Sequence, residues 1–344
     1  MLVLMTLLVT VASSLAARPL TVVTTLTSFN AIARELVDDD SSVEAIALAR
    51  QDAHFVHAKP SYSIMLSRAD LLIGTGLDLE LWLPAVVDKS RNPRIRPGEP
   101  GFVAAAQGVS MLEVPDNASR AAGDIHLYGN PHVHTDPLRA VAIADNIRVG
   151  LQRVDPEGAV GYQLRFDDFA ERIHRRLFGN DLVDLIGGRK LAQLEMAGRL
   201  MPFLQATELA GAPLSERLGG WMQRAACLRG TQIVPYHPNW IYFLERFGIE
   251  AAGYVERRPG IPPSAAHVAE LEDLMGRDDV EILWVANYFD RRVPELIAER
   301  TGATLAYVPL SPDPTGDGEA KDMFALYDLW IDTLRAVTSA CAPA

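Results

Sequence analysis

Three histidines stand in three widely separated segments of this 344-residue chain, each in a Pro-flanked or loop-entering context of the kind metal sites use. His54 lies in Asp52-Ala53-His54-Phe55-Val56-His57-Ala58-Lys59-Pro60-Ser61. His132 lies in Gly129-Asn130-Pro131-His132-Val133-His134-Thr135-Asp136-Pro137, and His237 in Val234-Pro235-Tyr236-His237-Pro238-Asn239-Trp240. Neutral imidazole is the commonest transition-metal ligand, and a dication held between distant parts of a chain takes such groups from loops at strand ends. The pattern therefore points to a metal captured across a fold, not to a local zinc finger. Asp322 opens the last helical stretch after the Pro-, Gly- and Asp-rich segment Leu310 to Lys321, and it is the best carboxylate to join the three rings. Helix capping is its competing role.

The other histidines carry weaker signals. His57 and His134 stand close enough to His54 and His132 to share a turn or an extended face with them. His126, in a loop before Tyr128-Gly129, is at best a transient ligand. His174 and His267 fall on expected helix surfaces.

The elements that must hold these groups follow from the apolar patterning. Strands at Leu20 to Thr25, Val43 to Leu48 and Leu71 to Gly74 alternate with helices at Ser28 to Val37, Tyr62 to Arg68 and Leu81 to Lys89. Such alternation implies a parallel sheet with ligand residues at the carboxyl ends of its strands. From Pro137 the period changes to helical, over Leu138 to Val154 and Ala159 to Leu177 with Asp155-Pro156 between them. A helix is expected over Lys190 to Leu204. Strands return at Thr231 to Val234, Ile249 to Val255, Val280 to Val285 and Thr304 to Val308, with helices at Trp240 to Phe247, Pro263 to Gly276, Pro294 to Gly302 and Met323 to Thr338. The expected organisation is an N-terminal α/β lobe over 18–150, a linking helix with a helical insertion over 151–213, and a C-terminal α/β lobe over 214–344.

Residues 1–17 form an uncharged apolar run ending in Ser14-Leu15-Ala16-Ala17 before Arg18-Pro19, which reads as a secretory signal cleaved near Ala16 or Ala17. No Cys stands there to take a lipid anchor, and no other run approaches the roughly 20 apolar residues of a membrane span. The formal charge of −12, from 44 acidic and 32 basic residues spread along the chain, argues against nucleic acid or an anionic membrane as partner. Cys227 and Cys341 are the two cysteines, and in an oxidising compartment their even count permits one disulfide. Neither a His-Glu-x-x-His helix nor a Gly-x-Ser-x-Gly elbow is present, so the metal reading is one of binding, not hydrolysis.

Taken in order, these motifs resemble those of the ZnuA/TroA family of periplasmic zinc- and manganese-binding proteins of ABC transporters. The carriers are Asp-x-His with a following Pro-Ser at Asp52 to Ser61, Asn-Pro-His-x-x-x-x-Pro at Asn130 to Pro137, a strand leading into His and an aromatic helix at Ile233 to Gly248, and the late Asp322. The resemblance implies two α/β lobes, each with a mostly parallel sheet flanked by helices, joined by a long rigid helix, with the metal in the cleft between them. It implies His54 and His132 as ligands from the first lobe and His237 and Asp322 from the second. A third imidazole in place of a carboxylate favours Zn²⁺ over Mn²⁺ as the transported ion. The partner it implies is an ABC permease in the inner membrane, served by a monomeric, unanchored periplasmic protein. Two departures stand out: Glu113 to Ile125 carries none of the histidines of a His-rich loop, and His134 stands where an aromatic residue is common.

Overall fold

The computed structural model describes residues 18–115 and 126–342, so the expected signal segment lies outside the described residues. Its first sheet has the order β2-β1-β3-β4, from β1 (Thr21–Thr24), β2 (Ser42–Ala45), β3 (Leu71–Gly74) and β4 (Phe102–Ala104), all parallel. Val22 sits opposite Val43 on one side and Leu71 on the other. A strand flanked on both sides and covered on both faces must be apolar along its whole length, as Leu71 to Gly74 is. The crossovers are helical: α1 (Thr27–Leu36), α2 (Pro60–Arg68) and α3 (Leu83–Ser90).

Two long helices follow, α4 (Pro137–Val154) and α5 (Ala159–Phe178), the second about 30 Å long at the usual rise per residue. Shorter helices α6 (Asn180–Ile186), α7 (Gly188–Met196) and α8 (Leu200–Ala206) lead to a two-strand ribbon of β5 (Glu208–Leu209) and β6 (Ala212–Pro213), then to α9 (Gly220–Arg224). The helix expected over Lys190 to Leu204 is in fact broken into α7 and α8. Gly198, at φ +65°, ends the first and turns the chain into the second.

The second sheet has the order β10-β9-β7-β8, from β7 (Gln232–Pro235), β8 (Glu250–Ala251), β9 (Ile282–Ala286) and β10 (Thr304–Val308), again parallel. Helices α10 (Ile241–Phe247), α11 (Ala265–Arg277), α12 (Arg292–Thr301) and α13 (Met323–Val337) complete it. The edge strand β8 is much shorter than the expected Ile249 to Val255. β4 has no counterpart among the expected strands.

The largest apolar core runs through both halves, from Val22 and Phe29 through α4 and α5 to Trp240, Trp284 and Trp330. Helix α13 belongs to it: Phe324 packs edge-on against Phe169 of α5, with ring centroids 5.6 Å apart, and Tyr327 meets Trp221 at 5.3 Å. Cys227 and Cys341 are joined in a disulfide, which ties the end of the chain to the segment before β7. Among the described residues no helix is long and apolar enough to cross a membrane.

Candidate metal centre

His54 and His237 lie beyond strands β2 and β7, and His132 lies in the loop that enters α4. Past β2, Asp52 caps a single 3₁₀ turn over Ala53–Phe55 by accepting from the His54 amide, and the same Oδ1 lies 2.6 Å from His54 Nδ1. One short carboxylate thus fixes both the backbone and the ring. Asn130 repeats the device: its Oδ1 accepts from the His132 amide at 3.1 Å and lies 2.8 Å from His132 Nδ1. The amide is correctly turned for this, because its Nδ2 donates to Glu113 Oε2 and to the Pro238 carbonyl. Gly129 before it has φ +99°, and a Cβ there would meet the Leu112 carbonyl at 2.8 Å. His237 follows β7 by two residues, with Nδ1 3.1 Å from the Glu256 carbonyl and 3.6 Å from its carboxylate.

These three rings meet. Centroids are 5.3 Å apart for His54 and His132, 5.8 Å for His54 and His237, and 6.2 Å for His132 and His237. His126 stands with them, 5.3 Å from His54 and 6.3 Å from His132 by ring centroid, its Nδ1 3.0 Å from Asp78 Oδ1. Among the described residues no group of three or more His, Cys, Asp or Glu side chains is already drawn in tightly enough to enclose an ion. The four rings nevertheless stand close to that arrangement, and the cavity beside His54, His132 and His134 is about 20 Å³, room for one water-sized guest.

Every one of the four Nδ1 atoms faces an oxygen acceptor, so each neutral ring carries its proton there and keeps the Nε2 lone pair free. An outer acceptor on the far nitrogen is how metal-bound histidines are oriented. Burial pushes His132 well below its ordinary pKa, with His54, His237 and His126 adding to the effect. His237 is lowered by burial and by His54 to about 3. Both rings are therefore neutral and free to ligate at neutral pH. Burial also pushes Glu256 up, to about 7.

The remaining histidines fall elsewhere. His134 lies behind His132, fully buried, with neither ring nitrogen hydrogen-bonded and the edge of Phe29 against it. His57 faces solvent, and His267 Nε2 lies 2.9 Å from the Tyr254 carbonyl. His174, expected on a helix surface, is instead buried and stacked on Phe178.

Asp322 requires a correction, because its Oδ1 accepts from the Ala325 amide at 2.8 Å as the cap of α13. It lines a surface hollow with Arg172, Arg175, Arg176 and Arg224, a cationic setting hostile to a dication. The segment that does pass the histidines after β10 is Leu310-Ser311, which has no carboxylate to offer. His126 is the group that sequence reasoning undervalued. Its available signal was a position six residues before His132 on the same loop.

A cluster of oriented imidazoles gathered from separate segments between two parallel α/β sheets is the arrangement of a two-lobed metal-binding protein. The chain belongs to the ZnuA family, zinc-uptake complex component A, periplasmic, whose model matches residues 22–176 and 215–340. That family comprises metal-binding solute-binding proteins, not enzymes. A crystal structure of ZnuA shares the fold at a TM-score of 0.66 and 18% identity, covering 92% of this chain and 98% of the other. The Mn-bound periplasmic metal-binding protein from Candidatus Liberibacter asiaticus does so at 0.61 and 18%, covering 91% and 98%. Among curated proteins, the iron-binding protein YfeA of Yersinia pestis is 27% identical over 157 residues, so the match spans 46% of this chain and 46% of that relative.

Proposed function

We propose that this chain captures Zn²⁺ in the periplasm through His54, His132 and His237 and hands it to an ABC permease in the inner membrane. In this reading residues 1–17 are its export signal, residues 18–150 and 214–344 are lobes that bracket the ion, and 151–213 link them. The observation that carries it is the set of three imidazoles from three segments, each with Nδ1 within hydrogen-bond reach of an oxygen. Nitrogen-rich donor sets favour zinc, whereas Mn²⁺ prefers carboxylate and water oxygen. The relatives named for iron and manganese supply the second reading, transport of one of those ions. A competitive titration of the metal-free protein against Zn²⁺, Mn²⁺ and Fe²⁺ separates them. Zinc is expected to win by orders of magnitude, and preference for manganese would overturn the zinc assignment.

A further inference from the structure

His54 and His126 come from different segments, yet their Nε2 atoms are 3.3 Å apart. That spacing is too long for a strong hydrogen bond between rings, and the protons that could make one are engaged elsewhere. Asp52 Oδ1 takes the Nδ1 proton of His54 and Asp78 Oδ1 takes that of His126. In the tautomer those carboxylates favour, the Nε2 lone pairs of the two rings face one another across the gap. A cation resolves that opposition, and the distance fits one: two nitrogens bonded at about 2.0–2.1 Å to a tetrahedral ion lie about 3.3 Å apart. Asp78 also accepts from the Leu127 amide at 2.8 Å, so it holds the backbone beside His126 as well as the ring, as Asp52 does for His54.

We propose that His126 is the fourth ligand of the ion, completing a shell of four imidazoles, and that Asp78 is the residue that orients it. The assignment rests on the reading that His54, His132 and His237 hold the metal. It makes the donor set wholly neutral, with the charge of the dication balanced one bond further out by Asp52 and Asp78. At 17% side-chain exposure, His126 is also the ligand nearest solvent, against 9% for His54 and 3% for His237.

Protein labelled with ¹⁵N-histidine and loaded with ¹¹³Cd²⁺ tests this without any substitution. Metal-to-nitrogen couplings are expected at Nε2 of four rings, His126 among them. Couplings at His54, His132 and His237 with His126 silent would overturn the fourth-ligand assignment and leave the three-histidine reading standing. Couplings missing from those three would overturn the underlying reading instead. As a second measurement, His126→Ala is expected to weaken Zn²⁺ in a chelator competition and to cut the intensity of the tetrahedral Co²⁺ absorption bands, while the far-UV circular dichroism stays unchanged. Asp78→Ala is expected to weaken zinc about 10- to 100-fold while keeping all four ¹¹³Cd couplings. Zinc affinity and Co²⁺ spectrum both unaltered in His126→Ala would overturn the proposal.

Discussion

Asp322, a candidate ligand by its sequence context, caps α13, and in the proposed shell its place falls to His126, by its own context a transient ligand at best. Asp322→Ala is expected to leave zinc affinity within about twofold of the unaltered protein while costing about 1 kcal/mol of stability through the lost cap, read as a shift in the denaturant midpoint. His132→Ala should instead weaken zinc by several orders of magnitude in the same chelator competition. Buried neutral rings also set a pH dependence. His134 is pushed by burial from 6.5 to about 4 and His237 to about 3, so between about pH 6.5 and those values the unfolded chain binds protons that the folded one refuses. Stability is then full above about 6.5 and falls as pH drops toward 4. Glu256, raised by burial to about 7, opposes this over the same window because its folded form takes up a proton first. Two buried rings outweigh that one carboxyl, so the melting temperature of the metal-free protein should decline from pH 7 to pH 5, and a rise would show that Glu256 dominates. The sequence made His54, His132 and His237 legible because each sits in a Pro-bounded motif. His126 was obscure because its credentials are spatial: Asp78 and His54 reach it from 48 and 72 positions away.

Between the two sheets, the elements are fastened by one buried ionic knot. Asp136 caps α4 by accepting from the Leu138 amide, and the same fully buried carboxylate takes Arg139 at 2.6 Å and Arg246 of α10 at 2.7 Å. Arg246 continues to Glu195 of α7 at 2.8 Å, and Tyr242 of α10 donates to the Asn130 carbonyl at 2.5 Å. Arg246→Ala is therefore expected to destabilise the fold by about 3 kcal/mol, since it takes one of two cationic partners from a carboxylate that water cannot reach. A loss below about 1 kcal/mol in urea unfolding would show that Arg139 alone satisfies Asp136. Element boundaries were legible where apolar runs are continuous, as in β3, β9 and β10. They failed at β4, where three residues after a Pro- and Gly-rich approach carry no period. At β8 only two residues find a partner strand, and no pattern internal to Ile249–Val255 reveals where the neighbouring strand stops.

At the scale of the whole molecule, the Cys227–Cys341 disulfide closes most of the second half into a loop with a sequence separation of 114. Reduction should lower stability by about 2–5 kcal/mol, measured as the shift in unfolding midpoint with and without reductant. The fold class was readable from strand–helix alternation, because a parallel sheet requires crossovers. The dependence of one half on the other was not, since it rests on tertiary contacts alone.

Helix α13 illustrates that dependence. Its Tyr327 hydroxyl donates to the His134 carbonyl at 2.8 Å, two residues after His132, and its Phe324 seals against α5. The loop that carries His132 is therefore braced by a helix 193 positions further along the chain. A chain cut short before α13 would keep every histidine of the site and still lose the support of the loop that presents one of them.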